Sequence, residues 1–395
     1  MRILSISKEK DLKRVMQEIG VDTYGIKIML PKTQAYLAKV VSLNNVSANI
    51  LKQEMLSLGG DVAVSRDSLT GRVKKTDCLI IGNLSQFKKL SNKLQMQPFG
   101  LNKITQDLKV ALKNFQEDNL ELVLGKYRLN FDARSYIMGI VNVTPDSFSG
   151  DGLSLRSIDE ITDFAQKLVE DGADILDIGG ESTRPGAKPI SIKEELARVI
   201  PVIKSVSRKI NIPLSIDTYK PEVAKQALDN GADMVNDITA LKDSSMAKVI
   251  SRYKAGVVIM HMQGLPRSMQ VNPKYLSLID EIIEYLTKAM DRGINNGIPK
   301  EKIVIDPGIG FGKTTEHNLE VIKRLKEFKV LGRPILIGTS RKSFIGGILN
   351  IDPKERVFGT ISSCVIAAGN GANIFRVHDV KALKQALLVR DIINK

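Results

Sequence analysis

Short apolar runs alternate with longer amphipathic stretches from Arg134 to the end of the chain, and eight such cycles can be counted. Short runs rich in Ile, Val and Leu are typical of buried strands, whereas aliphatic residues spaced at i, i+3 and i+4 are typical of helices. The predicted strands are Tyr136–Val141, Asp174–Ile178, Ile212–Ile216, Asp233–Asn236, Gly256–Met260, Lys302–Ile305, Ile335–Ile337 and Asn373–Val377. The predicted helices include Asp159–Glu170, Glu222–Asn230, Leu276–Asn295 and Thr315–Phe328.

This alternation predicts the fold class. Each connection is long enough to be a right-handed helical crossover between two parallel strands. Eight strand–helix units in roughly 240 residues favour a closed (β/α)8 TIM barrel over an open doubly wound sheet. A barrel also places the active site at the carboxyl ends of its strands and in the loops that follow them.

The 395-residue chain is long enough for this barrel and a smaller domain. We predict an N-terminal α+β domain at 1–118 and the barrel at 119–395, with a hairpin at Leu120–Phe131 leading into it. Within the N-terminal domain, Ile26–Leu30 and Cys78–Ile81 are predicted as strands, and Leu84–Leu94 and Ile104–Phe115 as helices. No pattern in this domain predicts a function.

Composition excludes several classes of protein. The first residues, MRILSISKEKDLKR, carry charges where a signal peptide needs an apolar run, so we expect a cytoplasmic protein. Two cysteines and three histidines without ligand spacing argue against disulfides and a structural metal. The net charge is +14, but residues 1–130 hold nine of those charges and no basic–aromatic motif is present, so we predict no nucleic-acid partner.

Polar residues end several of the predicted strands. Asp217, Asn236 and Asp306 would project into one cavity, where carboxylates and an amide suit a heterocycle with paired N–H donors, such as a 2-amino-4-oxo pterin. The alternative is that each residue only caps the helix that follows it.

Arg376 and His378 lie two residues apart on the last strand and so on one side of it, where they could hold one anion such as a diphosphate. The alternative is an ordinary surface pair. Of the other histidines, His261 could be a polar wall residue, and His317 is expected to face solvent early in a barrel helix.

The glycine-rich segment 308–314 is not a phosphate loop, because three residues rather than four separate Gly308 from the Gly312–Lys313 pair. We interpret its glycines as permitting a tight turn that presents Phe311 as an apolar wall. Lys342, after the seventh strand, could approach a ring oxygen or stack on an aromatic heterocycle, although a lone loop lysine is more often solvated.

Eight segments taken in order resemble the signature blocks of dihydropteroate synthase, a family of folate biosynthesis and a sulfonamide target. They are MGIVNVTPDSFSGDG, DIGGESTRPGA, SIDT, VNDI, MHMQG, DPGIGFGK, GTSRKS and RVHDV, between Met138 and Val380. Corrinoid-linked methyltransferases share the fold and some strand-end acids, but they resemble the Ser-Thr-Arg-Pro, Ser-Arg-Lys and Arg-Val-His blocks less.

The resemblance implies a role for each matching residue. The pterin would be held by Asp217, Asn236, Met260, Asp306 and Lys342. The diphosphate would be held by Asn142, Arg376 and His378, with Asn142 also in a Mg²⁺ site, and the catalytic residues would be Arg376, His378 and Lys342. The 4-aminobenzoate pocket would be formed by Thr183, Arg184, Pro185, Phe311, Ser340 and Arg341. The family also implies a homodimer.

The implied reaction joins a dihydropterin methyl diphosphate to 4-aminobenzoate and releases diphosphate. It needs no protein nucleophile, because Mg²⁺ and the cationic residues neutralise the leaving charge while the dihydropterin stabilises the cation left behind. Loops 142–152 and 179–189 would close over the site. The alternatives are a methyltransferase that presents a methyl-pterin to a corrinoid partner and a non-catalytic binding protein.

Overall fold

The structure is a computed structural model, and it describes residues 1–6, 8–132, 134–144, 157–182, 187–265 and 268–394. The chain forms two compact units, Met1–Lys113 and Asn114–Lys395. In the described part of the chain, no helix is both long enough and apolar enough to cross a membrane.

The first unit combines helices with an antiparallel sheet of order β1-β3-β2. Its core is formed by one face of the sheet and the apolar faces of the helices, with Leu51, Ile80 and Phe87 fully buried. The elements are α1 (Glu9–Glu18), α2 (Thr23–Thr33), β1 (Ala35–Asn44), α3 (Asn45–Leu56), β2 (Asp61–Val64), α4 (Arg66–Leu69), β3 (Lys75–Asn83), α5 (Leu84–Leu94) and α6 (Leu101–Gln116).

The prediction of a strand at Ile26–Leu30 is wrong, because this segment lies inside α2. The Asp22 side chain accepts hydrogen bonds from the backbone N–H groups of Tyr24 and Gly25 and so begins the helix. Only Ile26 and Leu30 of this helix are buried, which is one face at i, i+4. The apolar run was too short to separate a strand from a buried helical face.

A β-hairpin begins the second unit, as predicted, with β4 (Glu121–Leu124) and β5 (Tyr127–Asn130) paired antiparallel. Its inward side chains Leu122, Leu124 and Leu129 pack with the residues at the amino ends of the barrel strands. The hairpin therefore covers the floor of the barrel with apolar surface.

Eight parallel strands then form the barrel, which confirms the predicted fold. They are β6 (Tyr136–Asn142), β7 (Ile175–Gly179), β8 (Leu214–Asp217), β9 (Met234–Asp237), β10 (Gly256–Met260), β11 (Ile303–Asp306), β12 (Leu336–Ile337) and β13 (Ile374–Val377). They are ordered β11-β10-β9-β8-β7-β6-β13-β12, and a parallel bridge between Ile305 and Ile335 links the two ends.

Helices surround the strands and bury one face each against them. They are α7 (Ile158–Glu170), α8 (Ile192–Lys209), α9 (Pro221–Asp229), α10 (Ser244–Tyr253), α11 (Leu278–Asn295), α12 (Thr315–Lys323), α13 (Ser343–Leu349), α14 (Val357–Gly369) and α15 (Val380–Ile393). The predicted helix Thr315–Phe328 was too long, because α12 ends at Lys323 and a 3-10 helix, Leu325–Leu331, follows. Shorter 3-10 helices lie at Lys300–Lys302 and Pro353–Glu355.

The period of two along each strand divides the barrel interior into layers. The lower layer is fully buried and mostly apolar, and it consists of Met138, Ile175, Met234, Val258, Val304, Leu336 and Ile374, with Ser215 at the corresponding position of β8. Two residues further along four of these strands lie Asp177, Asn236, Asp306 and Arg376. Because side chains alternate between the two faces of a strand, these four polar side chains point into the barrel, above the apolar layer.

Candidate active site

Arg376 forms the centre of the polar layer. Its Nε donates to Asp177 Oδ2 at 2.6 Å, and its Nη2 donates to Asp217 Oδ2 at 2.7 Å. Asn236 Nδ2 donates to the same oxygen of Asp177 at 3.1 Å. The structure thus brings together Asp217, Asn236 and Arg376, three of the residues predicted from the sequence.

Asp177 was not predicted, although it is fully buried and bonds to two members of this group. The sequence did carry a signal, namely a single acid in the apolar strand Ile-Leu-Asp-Ile-Gly at an inward-facing position. Asp177 lies in the middle of β7, whereas the polar residues that the sequence predicted for the site lie at strand ends.

Two carboxylate oxygens in this layer lack a hydrogen-bond partner among the described residues. They are Asp177 Oδ1 and Asp217 Oδ1, both buried. A buried acceptor without a partner costs free energy, so these two oxygens are available to the N–H donors of a bound molecule. Burial raises the pKa of the Asp217 carboxyl to about 7, against the opposing charge of Arg376.

Asp306 lies across the barrel, in register with Met260 of β10. Its Oδ1 accepts a hydrogen bond from the backbone N–H of Gly308 at 2.7 Å. Burial raises the pKa of its carboxyl to about 6, and the Gly308 bond opposes that shift. The layer therefore holds acids that release their protons at nearly neutral pH.

An apolar wall adjoins the acids. Met260, Met262 and Met269 form one buried cluster with Ile238, and the half-buried Phe311 packs against it together with Tyr219. Methionine adapts its shape to flat aromatic surfaces. The predicted contact of Met260 with a planar ring is compatible with this position.

Lys342 Nζ lies 4.3 Å from the centroid of the Phe311 ring, within range of a cation–π interaction. A Cβ added at Gly310 would lie 3.2 Å from Lys342 Cδ, so the lysine stem packs along the glycine turn. The sequence predicted both residues in the site, but it gave no sign that they contact each other.

His378 and Arg341 lie on the rim of the same face. His378 Nδ1 is 2.9 Å from Ser340 Oγ, which also accepts from the His378 backbone N–H at 3.2 Å. Arg341 binds both carboxylate oxygens of Asp379, at 2.7 and 3.1 Å, and has a φ of +55°. Non-glycine residues rarely adopt that φ, and strained backbone of this kind clusters at functional sites.

The glycine segment is a tight turn, as its spacing predicted, with positive φ at Gly308, Gly310 and Gly312. A Cβ at Gly308 would fall 1.9 Å from the His261 carbonyl oxygen, so the turn presses against the chain after β10. His261 itself is buried. His317 does not face solvent as predicted, because its half-buried ring packs edge-on against Tyr275 and its Nδ1 accepts from the Thr314 backbone N–H.

A buried ion cluster holds the flanks of the segment after β7, and it was also missed. Lys220 Nζ donates to Glu181 Oε2 at 2.5 Å, Glu195 Oε2 at 2.6 Å and the Ile190 carbonyl at 2.8 Å. The Tyr219 hydroxyl donates to the other oxygen of Glu181. Burial disfavours the charged form of Lys220, but the two carboxylates outweigh it and raise its pKa.

Thr183, Arg184 and Pro185, predicted for the aminobenzoate pocket, lie outside the described residues, as does most of loop 142–152. Asn142 ends β6 beside Gly179 of β7. A Cβ at Gly179 would lie 3.9 Å from Asn142 Oδ1 and 3.7 Å from Asp217 Oδ2, so glycine keeps open a space between two oxygen atoms. Within the described ranges, no group of three or more His, Cys, Asp or Glu residues could hold a metal ion.

Comparison with known proteins matches residues 138–378 to the family described as "Pterin binding enzyme". Over 274 residues the chain is 47% identical to a dihydropteroate synthase of Synechocystis, covering 69% of this chain and 94% of that one. It is similar to a solved Xanthomonas albilineans dihydropteroate synthase with 4-aminobenzoic acid, at 40% identity and TM-score 0.65, covering 70% of this chain and 98% of that one.

A third relative also matches part of the first unit. A probable bifunctional folylpolyglutamate synthase/dihydropteroate synthase of Halobacterium salinarum is 40% identical over 335 residues, which is 84% of this chain and 40% of that one. An alignment of this length is longer than the second unit alone, so it extends into the first.

Proposed function

The chain belongs to the dihydropteroate synthase family of folate biosynthesis, and from that premise we propose that the polar layer of its barrel is where the pterin is held. The observation that carries this proposal is a pair of buried oxygens, Asp177 Oδ1 and Asp217 Oδ1, that have no hydrogen-bond partner in the part of the chain that the structure describes. A 2-amino-4-oxo pterin presents adjacent N–H donors along one edge, which is what such acceptors require. Asp306 and Asn236 supply further polar contacts, and Met260 packs against the ring.

The diphosphate lies toward the rim, near Asn142, Arg376 and His378. Two of the five N–H donors of Arg376 bond to Asp177 and Asp217, and the remaining donors can bond to phosphate oxygens. Burial lowers the pKa of the guanidinium, but the charges of Asp177 and Asp217 together outweigh it and raise the pKa, so the group stays charged. This fixed positive charge stabilises the negative charge that develops on the leaving diphosphate.

Mg²⁺ is proposed as the cofactor, because the oxygen of Asn142 beside the space at Gly179 suits a hard cation that keeps most of its water and binds phosphate. When bound, Mg²⁺ would neutralise charge on the diphosphate oxygens. Asn142 is the residue of this chain that would hold it.

The 4-aminobenzoate is proposed to lie beside Phe311, with Ser340 and Arg341 on its other side. The bond from the pterin methylene carbon to the diphosphate oxygen breaks first, and its electron pair leaves with diphosphate. The arylamine nitrogen then donates its lone pair to that carbon and loses a proton. Holding the two reactants in line can supply roughly 7–11 kcal/mol of the barrier.

The test measures diphosphate release with dihydropterin methyl diphosphate, 4-aminobenzoate and Mg²⁺. We expect turnover that requires both substrates and the metal and that falls at least tenfold in Arg376→Ala. The matched control is Lys288→Met, which removes an exposed cation paired with Glu284. An absence of the condensed pterin–arylamine product, or an Arg376→Ala variant as active as the control, would contradict the proposal.

We also propose a homodimer in a reducing compartment, the cytoplasm. Apolar side chains on α13, α14 and α15 are exposed, among them Ile348, Phe358 and Val389, and a second copy would cover them. Cys78 and Cys364 are free and buried, which fits reducing conditions. Light scattering that gives the monomer mass at micromolar concentration would rule out the dimer.

A further inference from the structure

A buried lysine without a part in the proposed reaction lies beneath the glycine turn. Lys313 is 2% exposed. Its Nζ is 2.8 Å from His261 Nδ1, 3.0 Å from the Gly308 carbonyl oxygen and 3.3 Å from the Phe311 carbonyl oxygen. Burial lowers the pKa of the Lys313 side chain to about 7, against the opposing charge of Asp306. In its charged form the group has three N–H donors, one for each of these acceptors.

The three acceptors come from two different strand ends. His261 follows β10, whereas Gly308 and Phe311 belong to the turn after β11. Lys313 therefore joins the turn to the neighbouring strand by side-chain bonds. Gln270 and Tyr275 also bind the turn, but through the carbonyl oxygens of other residues in it.

His261 acts here as a neutral acceptor. Burial lowers the pKa of its imidazole to about 2, and the adjacent charge of Lys313 adds to that shift. When Lys313 is charged, Nδ1 is the acceptor and the ring proton is on Nε2. The imidazole is held edge-on against Tyr285, with ring centroids 4.8 Å apart, so the acceptor has a fixed position.

The glycine turn also fixes the position of the Phe311 ring. Phe311 bonds through its own carbonyl to Lys313, and its ring lies against the methionine cluster on one side and near Lys342 Nζ on another. The three glycines of this turn could adopt many backbone conformations. The buried Lys313 side chain, together with Gln270 and Tyr275, holds the turn in one of them.

We propose that Lys313 is a positioning residue of the synthase reaction, which holds the Phe311 ring against the 4-aminobenzoate by tying the turn to His261. The inference rests on the proposed function, because that is where Phe311 is assigned to the arylamine. Lys313 itself does not contact substrate.

A double-mutant cycle tests the inference with Lys313→Met, Phe311→Ala and the combined variant. Each single change is expected to raise KM for 4-aminobenzoate about tenfold, and the combined variant should be no worse than Phe311→Ala alone, because both changes remove the same contact. The Kd of dihydropterin methyl diphosphate, measured alone by calorimetry, should change less than about twofold. Lys288→Met serves as the control and should match the parent protein.

The experiment distinguishes a wrong assignment of Phe311 from a wrong role for Lys313. If Phe311→Ala leaves KM for 4-aminobenzoate unchanged, the assignment of the ring in the proposed function is wrong. If Phe311→Ala raises KM but the effects of the two changes multiply, or if pterin binding weakens in parallel, Lys313 acts only on general stability and the inference is wrong. Should Lys313→Met not fold, His261→Phe removes the other end of the tie and should give the same rise in KM.

Discussion

Lys220→Met removes the ammonium group that holds the flanks of the segment after β7. Lys220 Nζ lies 2.5 Å from Glu181 and 2.6 Å from Glu195, and the three side chains are 11%, 9% and 1% exposed. Methionine keeps the apolar stem but leaves two buried carboxylates close together. Removing one partner from a buried ion pair costs roughly 3–5 kcal/mol, so we expect the free energy of unfolding at about pH 8 to fall by that amount.

The assay is urea unfolding followed by circular dichroism, with a thermal melt beside it. For a domain of this size the loss corresponds to a Tm lower by about 6 °C or more. The matched control is Lys288→Met, which breaks a pair with Glu284 in which both side chains are 65% exposed. An exposed pair within one helix contributes about 0.5 kcal/mol or less, so this control should be nearly neutral. A loss of unfolding free energy no larger than that of Lys288→Met would refute the reasoning.

Three further predictions follow from the site. Asp177→Asn removes the negative charge that accepts a hydrogen bond from Arg376 Nε, and a hydrogen bond to a charged group contributes roughly 1.5–3 kcal/mol. We therefore expect kcat/KM for the pterin substrate to fall about 10- to 100-fold. An unchanged kcat/KM would contradict the role of this carboxylate. Gly308→Ala puts a Cβ against a backbone carbonyl at positive φ and should lower unfolding free energy by about 2–4 kcal/mol in urea titrations, whereas Gly369→Ala, which meets open space, should not. Because Asp217 and Asp306 have pKa values raised to about 7 and 6, they lose their negative charge as pH falls; the affinity for a phosphate-free pterin, measured by calorimetry, should therefore decrease from about pH 8 to about pH 5, and a constant affinity would argue against these acceptors.

The barrel could be predicted from the sequence because its signal repeats eight times and each repeat is local. Buried parallel strands are continuous apolar runs, and their helices carry a separate period. The N-terminal unit offered no repeat, so Ile26–Leu30 was assigned to the wrong element and the long strand β1 was not recognised.

Site residues could be predicted only where a polar residue interrupts the apolar pattern of a strand. Asp217, Asn236 and Asp306 stood out because acids and amides at strand ends are visible in the sequence. Lys313 and Lys220 were not found, because a lysine in a loop gives no sign of being buried. Their burial depends on acceptors such as His261 and Glu195, which are distant in sequence and meet the lysines only after the chain has folded.

The two layers of the barrel interior also limit how this protein can change over evolution. A deletion of one residue inside β13 would turn Phe375, now packed between strands and helices, into the cavity and Arg376 out of it. The same shift in β7, β9 or β11 would turn its lower-layer residue and its polar residue, Asp177, Asn236 or Asp306, out of the cavity together. Insertions and deletions can therefore accumulate in the connections, whereas the strands admit only substitutions.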